Sequence, residues 1–142
     1  MRIADRLASS LSNLGIEQVF MVNGGGAMHL NDALSRNNKL NVEYMHHEQS
    51  CAMAAEGYAR VSGKPAVVCV TSGPGGINAI NGVFGSWTDS IPVIVVSGQV
   101  KRETLNRKNS KLRQLGDQEN DIIFFIYPEK ITIIMFPKII SN

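Results

Sequence analysis

The sequence predicts a three-layer α/β domain, a doubly wound parallel sheet with helices on both faces. Three observations support this. Segments of helical and strand character alternate from Met1 to about Gln99. The run from Ala66 to Thr71 is nearly continuous β-branched sequence, as expected for a strand buried on both faces. Glycine-rich turns lie between strands and the helices that follow them, at Asn23–Gly26 and at Ser72–Gly76.

From Arg2 to Leu14, residues Ile3, Leu7, Leu11 and Leu14 fall on one helical stripe, and Gly15 ends it. Gln18 to Val22 is a short apolar strand, and the glycine run then leads into a helix from about Met28 to Arg36. Asn41 to His46 is a second strand. Glu48 to Val61 is an alanine-rich helix, stopped by Gly63 and Pro65. After the strand Ala66–Thr71, the second glycine turn opens a helix that ends near Ser90, and Pro92 to Ser97 is the next buried strand. In a sheet of this kind ligands bind beyond the carboxyl ends of the strands. The pattern places Asn23–Gly26, Glu48 and Ser72–Asn78 together there.

Composition narrows the function classes. With 142 residues the chain has room for one sizeable core. Its 44% hydrophobic and 18% charged content is that of a soluble globular protein. A net charge of +2 does not argue for nucleic acid or an anionic membrane. The basic run from Lys101 to Arg113 has no aromatic for base stacking and reads as a solvated loop. No apolar stretch has the length of a membrane span. The two cysteines, Cys51 and Cys69, form no metal or redox motif, and the first residues lack the apolar run of a signal peptide. A cytoplasmic protein is therefore expected.

Several motifs fail on spacing. Gly24-x-Gly26 has His29 where a dinucleotide fingerprint needs its third glycine, and Gly73-x-Gly75 has Asn78 there. Gly57 to Gly63-Lys64 has one residue too many for a P-loop and continues with Pro65. His46 and His47 are adjacent on a strand and point to opposite faces, which argues against a shared metal. No zinc or iron spacing and no G-x-S-x-G elbow occurs, so no metal-ligating residue is expected.

The run His47-Glu48-Gln49-Ser50-Cys51-Ala52-Met53-Ala54-Ala55-Glu56-Gly57-Tyr58-Ala59-Arg60 resembles the H-E-Q-x-A-x-x-A-A-E-G-Y-A-R signature of the acetolactate synthase and pyruvate oxidase family of thiamine-diphosphate enzymes. The likeness continues through Gly63-Lys64-Pro65, Thr71-Ser72-Gly73-Pro74-Gly75 with Asn78, Asp89-Ser90-Ile91-Pro92, Gly98-Gln99-Val100 and Gly116-Asp117-Gln118-Glu119. It covers roughly residues 1 to 122.

The resemblance implies the N-terminal domain that binds the aminopyrimidine end of thiamine diphosphate. Glu48 matches the glutamate that hydrogen-bonds the pyrimidine ring nitrogen and so activates the cofactor. Pro74, Asn78 and Gln118 match positions lining the cofactor or substrate side of the cleft, and Gly25 and Gly26 match a turn that approaches the cofactor closely. Gln99 reads as structural, at a strand end. Relatives often carry proline in that first turn, whereas this chain has Asn23-Gly24-Gly25-Gly26-Ala27-Met28-His29, a departure that bears on the choice of substrate.

By the same resemblance the parent activity is decarboxylation of a 2-oxo acid such as pyruvate with transfer of the acyl unit, in branched-chain amino acid biosynthesis. Magnesium would be held by a Gly-Asp-Gly…Asn-Asn motif of a second domain, which does not occur here, and some relatives bind FAD in a middle domain that is also missing. The chain alone is therefore not expected to turn over substrate. A homodimer or larger assembly is implied. Two alternatives stay open: a pyrimidine-domain subunit paired with a separate diphosphate-binding chain, and a non-catalytic fragment.

Residues 1–120 are expected to form the domain and 121–142 an atypical tail. After Asp121 there are eight isoleucines and no alanine, glycine, valine or leucine. A truncated chain with an unrelated or out-of-register tail and a divergent edge strand are equally compatible with that change.

Overall fold

The computed structural model describes residues 1–98 throughout, and beyond them the backbone of two strands, residues 122–127 and 130–135. The elements are α1 (Ile3–Asn13), β1 (Gln18–Met21), a short 3-10 turn (Gly25–Ala27), α2 (Met28–Arg36), β2 (Asn41–Tyr44), α3 (Glu48–Ser62), β3 (Ala66–Val70), α4 (Pro74–Thr88), β4 (Val93–Ser97), β5 (Ile122–Tyr127) and β6 (Lys130–Met135). The sheet order is β2-β1-β3-β4-β5-β6. Strands β1 to β4 pair in parallel, as the alternating pattern predicts. β5 lies antiparallel on the free edge of β4, and β6 antiparallel on β5. The tail backbone thus extends the sheet by two antiparallel strands.

The two faces of β3 feed two separate cores. Val67 and Cys69 join Ala8 and Leu11 of α1 and Ala33 and Leu34 of α2. Ala66, Val68 and Val70 join Cys51, Ala52 and Ala55 of α3 and Ala79 of α4. All five residues of β3 are buried, which is why its sequence does not alternate. Burying each valine contributes about 1.5–3 kcal/mol, so this strand anchors both layers.

The helix ends follow local chemistry. Gly63 adopts the left-handed conformation after α3, at φ 69°, and its N–H reaches Ala59 O at 3.0 Å. Pro74 occupies the first turn of α4, where its missing N–H leaves no helical bond unmade. One expectation is corrected in detail. On α1 the face toward the sheet centres on Ala4, Ala8 and Leu11, with Leu7 beside them, while Ile3 and Leu14 are exposed. At about 100° per residue Ile3 and Leu14 fall on the margin of that face, and two small alanines let the helix approach closely.

Ion pairs tie the helices of each layer. Arg2 and Arg36 bracket Asp5 and Asp32 across α1 and α2. Arg60 of α3 joins Glu56 to Asp89 just past α4. The arginines are exposed to solvent, so water and salt screen these pairs and they orient the helices more than they stabilise them.

Candidate functional site

The strand order reverses direction at β1, whose neighbours are β2 on one side and β3 on the other. Connections leave β1 and β3 on opposite faces of the sheet, and a crevice opens between their carboxyl ends. Asn23–Gly26 follows β1 and Thr71–Gly75 follows β3, so both glycine turns border that crevice. Glu48 reaches it from the first residue of α3.

Helix α3 begins at Glu48 because His47 caps it. His47 is extended, and its Nδ1 accepts the Gln49 backbone N–H at 3.2 Å. His46 and His47 are both exposed, and the ring of His47 is engaged with its own helix start. Among the described residues no three His, Cys, Asp or Glu side chains gather as a metal site.

Glu48 is half-buried, and its two oxygens have different surroundings. Oε2 accepts a hydrogen bond from Asn78 Nδ2 at 3.0 Å, one turn into α4. Among the described residues Oε1 has no protein donor. It faces Gly75, where an added Cβ would lie 3.3 Å from Oε1 and 2.8 Å from Thr71 Cγ2. The absence of a side chain at position 75 therefore keeps one carboxylate oxygen uncovered.

The two glycine turns are locked onto each other. Gly26 N–H donates to Thr71 Oγ1 at 3.0 Å. A Cβ at Gly26 would lie 2.6 Å from Ser72 Oγ, and one at Gly24 would overlap the Thr71 side chain. Gly98, which follows β4, packs so closely on Gly26 that its own Cβ would overlap the Gly26 carbonyl. Gly25 is different: it is exposed, and a Cβ there would meet nothing within 4 Å. The first turn is also held from α2. Buried Asn31 donates through Nδ2 to Asn23 Oδ1 at 2.8 Å and to Val22 O at 3.3 Å. Beside this turn, Val22, Asn23, Tyr44, Met45 and His46 line an open cleft of about 400 Å³.

Of the residues predicted from the sequence, Glu48, Asn78 and Gly26 thus sit in one constellation, with Gly25 open beside it. Pro74 lies at the exposed start of α4. Gln118 and Gln99 lie outside the described residues. Thr71, Gly98 and Asn31 were missed as contributors. Thr71 at least stood at a strand end ahead of glycines, but its contact with a turn 45 residues away has no sequence signature.

Neither thiol adds a nucleophile. Burial pushes Cys51 up to about 11, helped by the nearby Glu48 charge, and pushes Cys69 up to about 12.

Among known proteins, residues 1–121 match the family described as "Thiamine pyrophosphate enzyme, N-terminal TPP binding domain". Acetolactate synthase 2, chloroplastic, from Brassica napus is 42% identical over 102 residues, covering 72% of this chain and 16% of that protein. The acetolactate synthase large subunit of Buchnera aphidicola subsp. Schizaphis graminum is 44% identical over 97 residues, covering 68% of this chain and 17% of that protein. That of Haemophilus influenzae is 41% identical over the same length. The chain spans about a sixth of the length of these relatives. It belongs to the thiamine pyrophosphate enzyme family, through that family's N-terminal TPP-binding domain.

Proposed function

We propose that this chain is the pyrimidine-binding part of an acetolactate synthase-like enzyme, and that Glu48 is the carboxylate that meets the cofactor's aminopyrimidine. The observation that carries the reading is the asymmetric Glu48 carboxyl, with Oε2 held by Asn78 and Oε1 left uncovered by Gly75. Such a group fits an aminopyrimidine edge, which offers a ring nitrogen able to share a proton with a carboxyl oxygen. Family membership and the position of Glu48 at the sheet's switch point support it.

When bound, thiamine diphosphate would supply the carbon-acid chemistry for decarboxylating a 2-oxo acid. The chain's residues have simpler tasks. Glu48 holds or releases a proton at Oε1 toward the ring nitrogen. Asn78 fixes the orientation of the carboxyl. Gly25 leaves room for close approach, and Gly26 with Thr71 holds that turn in place. Pro74 and Gln118 complete the lining in this reading. Magnesium and the diphosphate belong to a further domain or partner chain, and FAD to a middle domain of the larger enzyme. The 2-oxo acid is of the pyruvate class, its acyl unit passes to a second carbonyl, and the product enters branched-chain amino acid synthesis.

In this reading residues 1–120 serve the function and 121–142 are an atypical tail; the family match to residue 121 supports that division. None of the described helices is long and apolar enough to cross a membrane, and the proposed compartment is the cytoplasm. The exposed apolar residues of α4 support an assembly, as a homodimer or with a diphosphate-binding chain.

The test is calorimetric titration with thiamine diphosphate and magnesium, for the chain alone and with a diphosphate-binding domain of a relative. Binding that Glu48→Gln weakens at least about tenfold is expected, the loss of one charge-assisted hydrogen bond. Binding unchanged by Glu48→Gln overturns the assignment of Glu48.

A further inference from the structure

One side chain lies against both glycine turns. Thr71 directly follows β3, with its hydroxyl on the first glycine turn and its methyl between that turn and the second. Oγ1 accepts the Gly26 N–H at 3.0 Å. Cγ2 occupies the space that a Cβ at Gly75 would enter, 2.8 Å from it, and the Thr71 Cβ sits against Gly24. Glu48 Oε1 borders the same Gly75 position. The Thr71 backbone is itself anchored, because its carbonyl accepts Ser97 Oγ at 3.3 Å from β4. Thr71 therefore joins the β1 turn, the β3 turn and the surroundings of the Glu48 carboxyl through a single β-branched side chain.

We propose that Thr71 is a positioning residue that sets the gap between the Gly24–Gly26 turn and Glu48, the gap an aminopyrimidine ring would enter. The role rests on the reading of Glu48 as the cofactor-facing carboxylate. Its physical basis is stiffness. A β-branched side chain has few χ1 states, so hydroxyl and methyl are held in fixed directions at once. Valine matches the shape but offers no acceptor to Gly26. Serine retains the acceptor but lacks the methyl that fills the Gly75 contact, and it turns more freely.

The test uses the whole chain and two variants, Thr71→Val and Thr71→Ser, with melting curves to confirm that each folds. The first readout is amide hydrogen exchange at Gly26 by NMR, which needs no ligand. Gly26 is expected to be protected in the unaltered chain, and to exchange about tenfold faster in Thr71→Val, the loss of one hydrogen bond. Protection should persist in Thr71→Ser. The side-chain resonances of Glu48 should move in Thr71→Val although Glu48 is not its neighbour in sequence. An unprotected Gly26 amide in the unaltered chain, or equal protection in Thr71→Val with Glu48 unmoved, overturns the proposal.

Thiamine diphosphate titration of the same proteins gives the second readout, with weaker binding by Thr71→Val than by Thr71→Ser expected. Equal binding by the two variants, where the unaltered chain binds, rejects the functional role even if the hydrogen bond exists. Glu48→Gln is titrated alongside. If it binds like the unaltered chain, the assignment of Glu48 fails, and the exchange data still decide whether Thr71 holds the turn.

Discussion

Asn78 donates its side-chain amide to Glu48 Oε2 at 3.0 Å, across 30 residues of sequence. The bond joins the first turn of α4 to the first residue of α3. Glu48 is half-buried and Asn78 exposed, so water competes for the contact. A hydrogen bond to an ionised group contributes about 1.5–3 kcal/mol when shielded, and less here. Asn78→Ala is expected to leave the melting temperature within a few degrees and to weaken thiamine-diphosphate binding by about fivefold, nearer 1 kcal/mol. Asn78→Ser, whose shorter hydroxyl does not span the gap, should behave like alanine. Calorimetry on the three proteins checks this, and unchanged affinity in both variants would remove Asn78 from the site.

The adjacent glycines of the first turn separate fold from function. A Cβ at Gly26 would press on Ser72 Oγ and Thr71 Oγ1 at 2.6 and 3.0 Å, whereas one at Gly25 would enter open space. Gly26→Ala should therefore destabilise the chain by about 1–3 kcal/mol, the usual cost of overpacking. Gly25→Ala should leave the urea midpoint almost unchanged. If the cofactor approaches this turn as proposed, Gly25→Ala nevertheless weakens its binding. Equal stability losses for the two substitutions would contradict the geometry. Full cofactor affinity in Gly25→Ala would place the ligand elsewhere.

Gly82 tests the packing of the layer that carries Glu48. A Cβ there would lie 2.5 Å from Ala52 Cβ and 3.0 Å from Met53 N, so α3 and α4 meet through a glycine. Alanine would gain about 1 kcal/mol of helix propensity. It would also force the two helices apart, costing about 1–3 kcal/mol. The second effect should win, because the contact includes backbone that cannot rotate away. Gly82→Ala is expected to lower the melting temperature, and an increase would show that α4 shifts freely.

The raised thiols predict an alkaline limit to stability. Cys51 ionises near 11 and Cys69 near 12 in the folded chain, against an ordinary 9.0 for an exposed thiol. The native state therefore keeps protons that the unfolded state gives up. Their contribution is complete below about pH 9 and is lost as the pH rises toward 11 and 12. Cys51→Ala should make the decline in unfolding free energy between pH 9 and 11 shallower. An aromatic disulfide reagent at pH 8 should label both thiols only after unfolding. Rapid labelling of the folded chain would contradict their burial.

The order of elements was legible because helical and strand periodicities differ and the buried strand β3 is apolar throughout. The crevice was legible because its parts all follow strand ends in a parallel sheet. Other features depend on distances between segments remote in sequence. The Thr71 hydroxyl under Gly26, Gly98 against the Gly26 carbonyl, and Asn31 holding Asn23 all require the sheet register to be known. His47 as the cap of α3 was not legible, because the sequence pattern carried the preceding strand to His46 and histidine is not among the usual capping residues. On α1 large side chains drew attention to Ile3 and Leu14, while the contact face joins Leu7 and Leu11 to the small Ala4 and Ala8. Small residues leave a weaker hydrophobic signal at the positions where helices approach closest.

Helix α4 predicts how the chain associates. It carries no charged residue from Pro74 to Thr88. Ile77, Ile80, Phe84 and Trp87 lie on one exposed side at i, i+3, i+7 and i+10, with Phe84 60% and Ile80 53% exposed. Phe84 and Trp87 pack as a tilted aromatic pair, 5.5 Å between centroids and 55° between planes. An uncharged apolar side of this length is unusual for a surface that remains in water. The chain should therefore self-associate at micromolar concentration, or bind a diphosphate-domain partner there. Phe84→Glu sets a charge in the centre of the stripe without touching either core. It is expected to shift sedimentation toward the monomer and weaken partner binding more than tenfold, a penalty typical of an unpaired charge in a desolvated interface. The melting temperature of the monomer should hardly change. If Phe84→Glu sediments and binds as the unaltered chain does, assembly uses another face, and the candidate site must be completed from a different side.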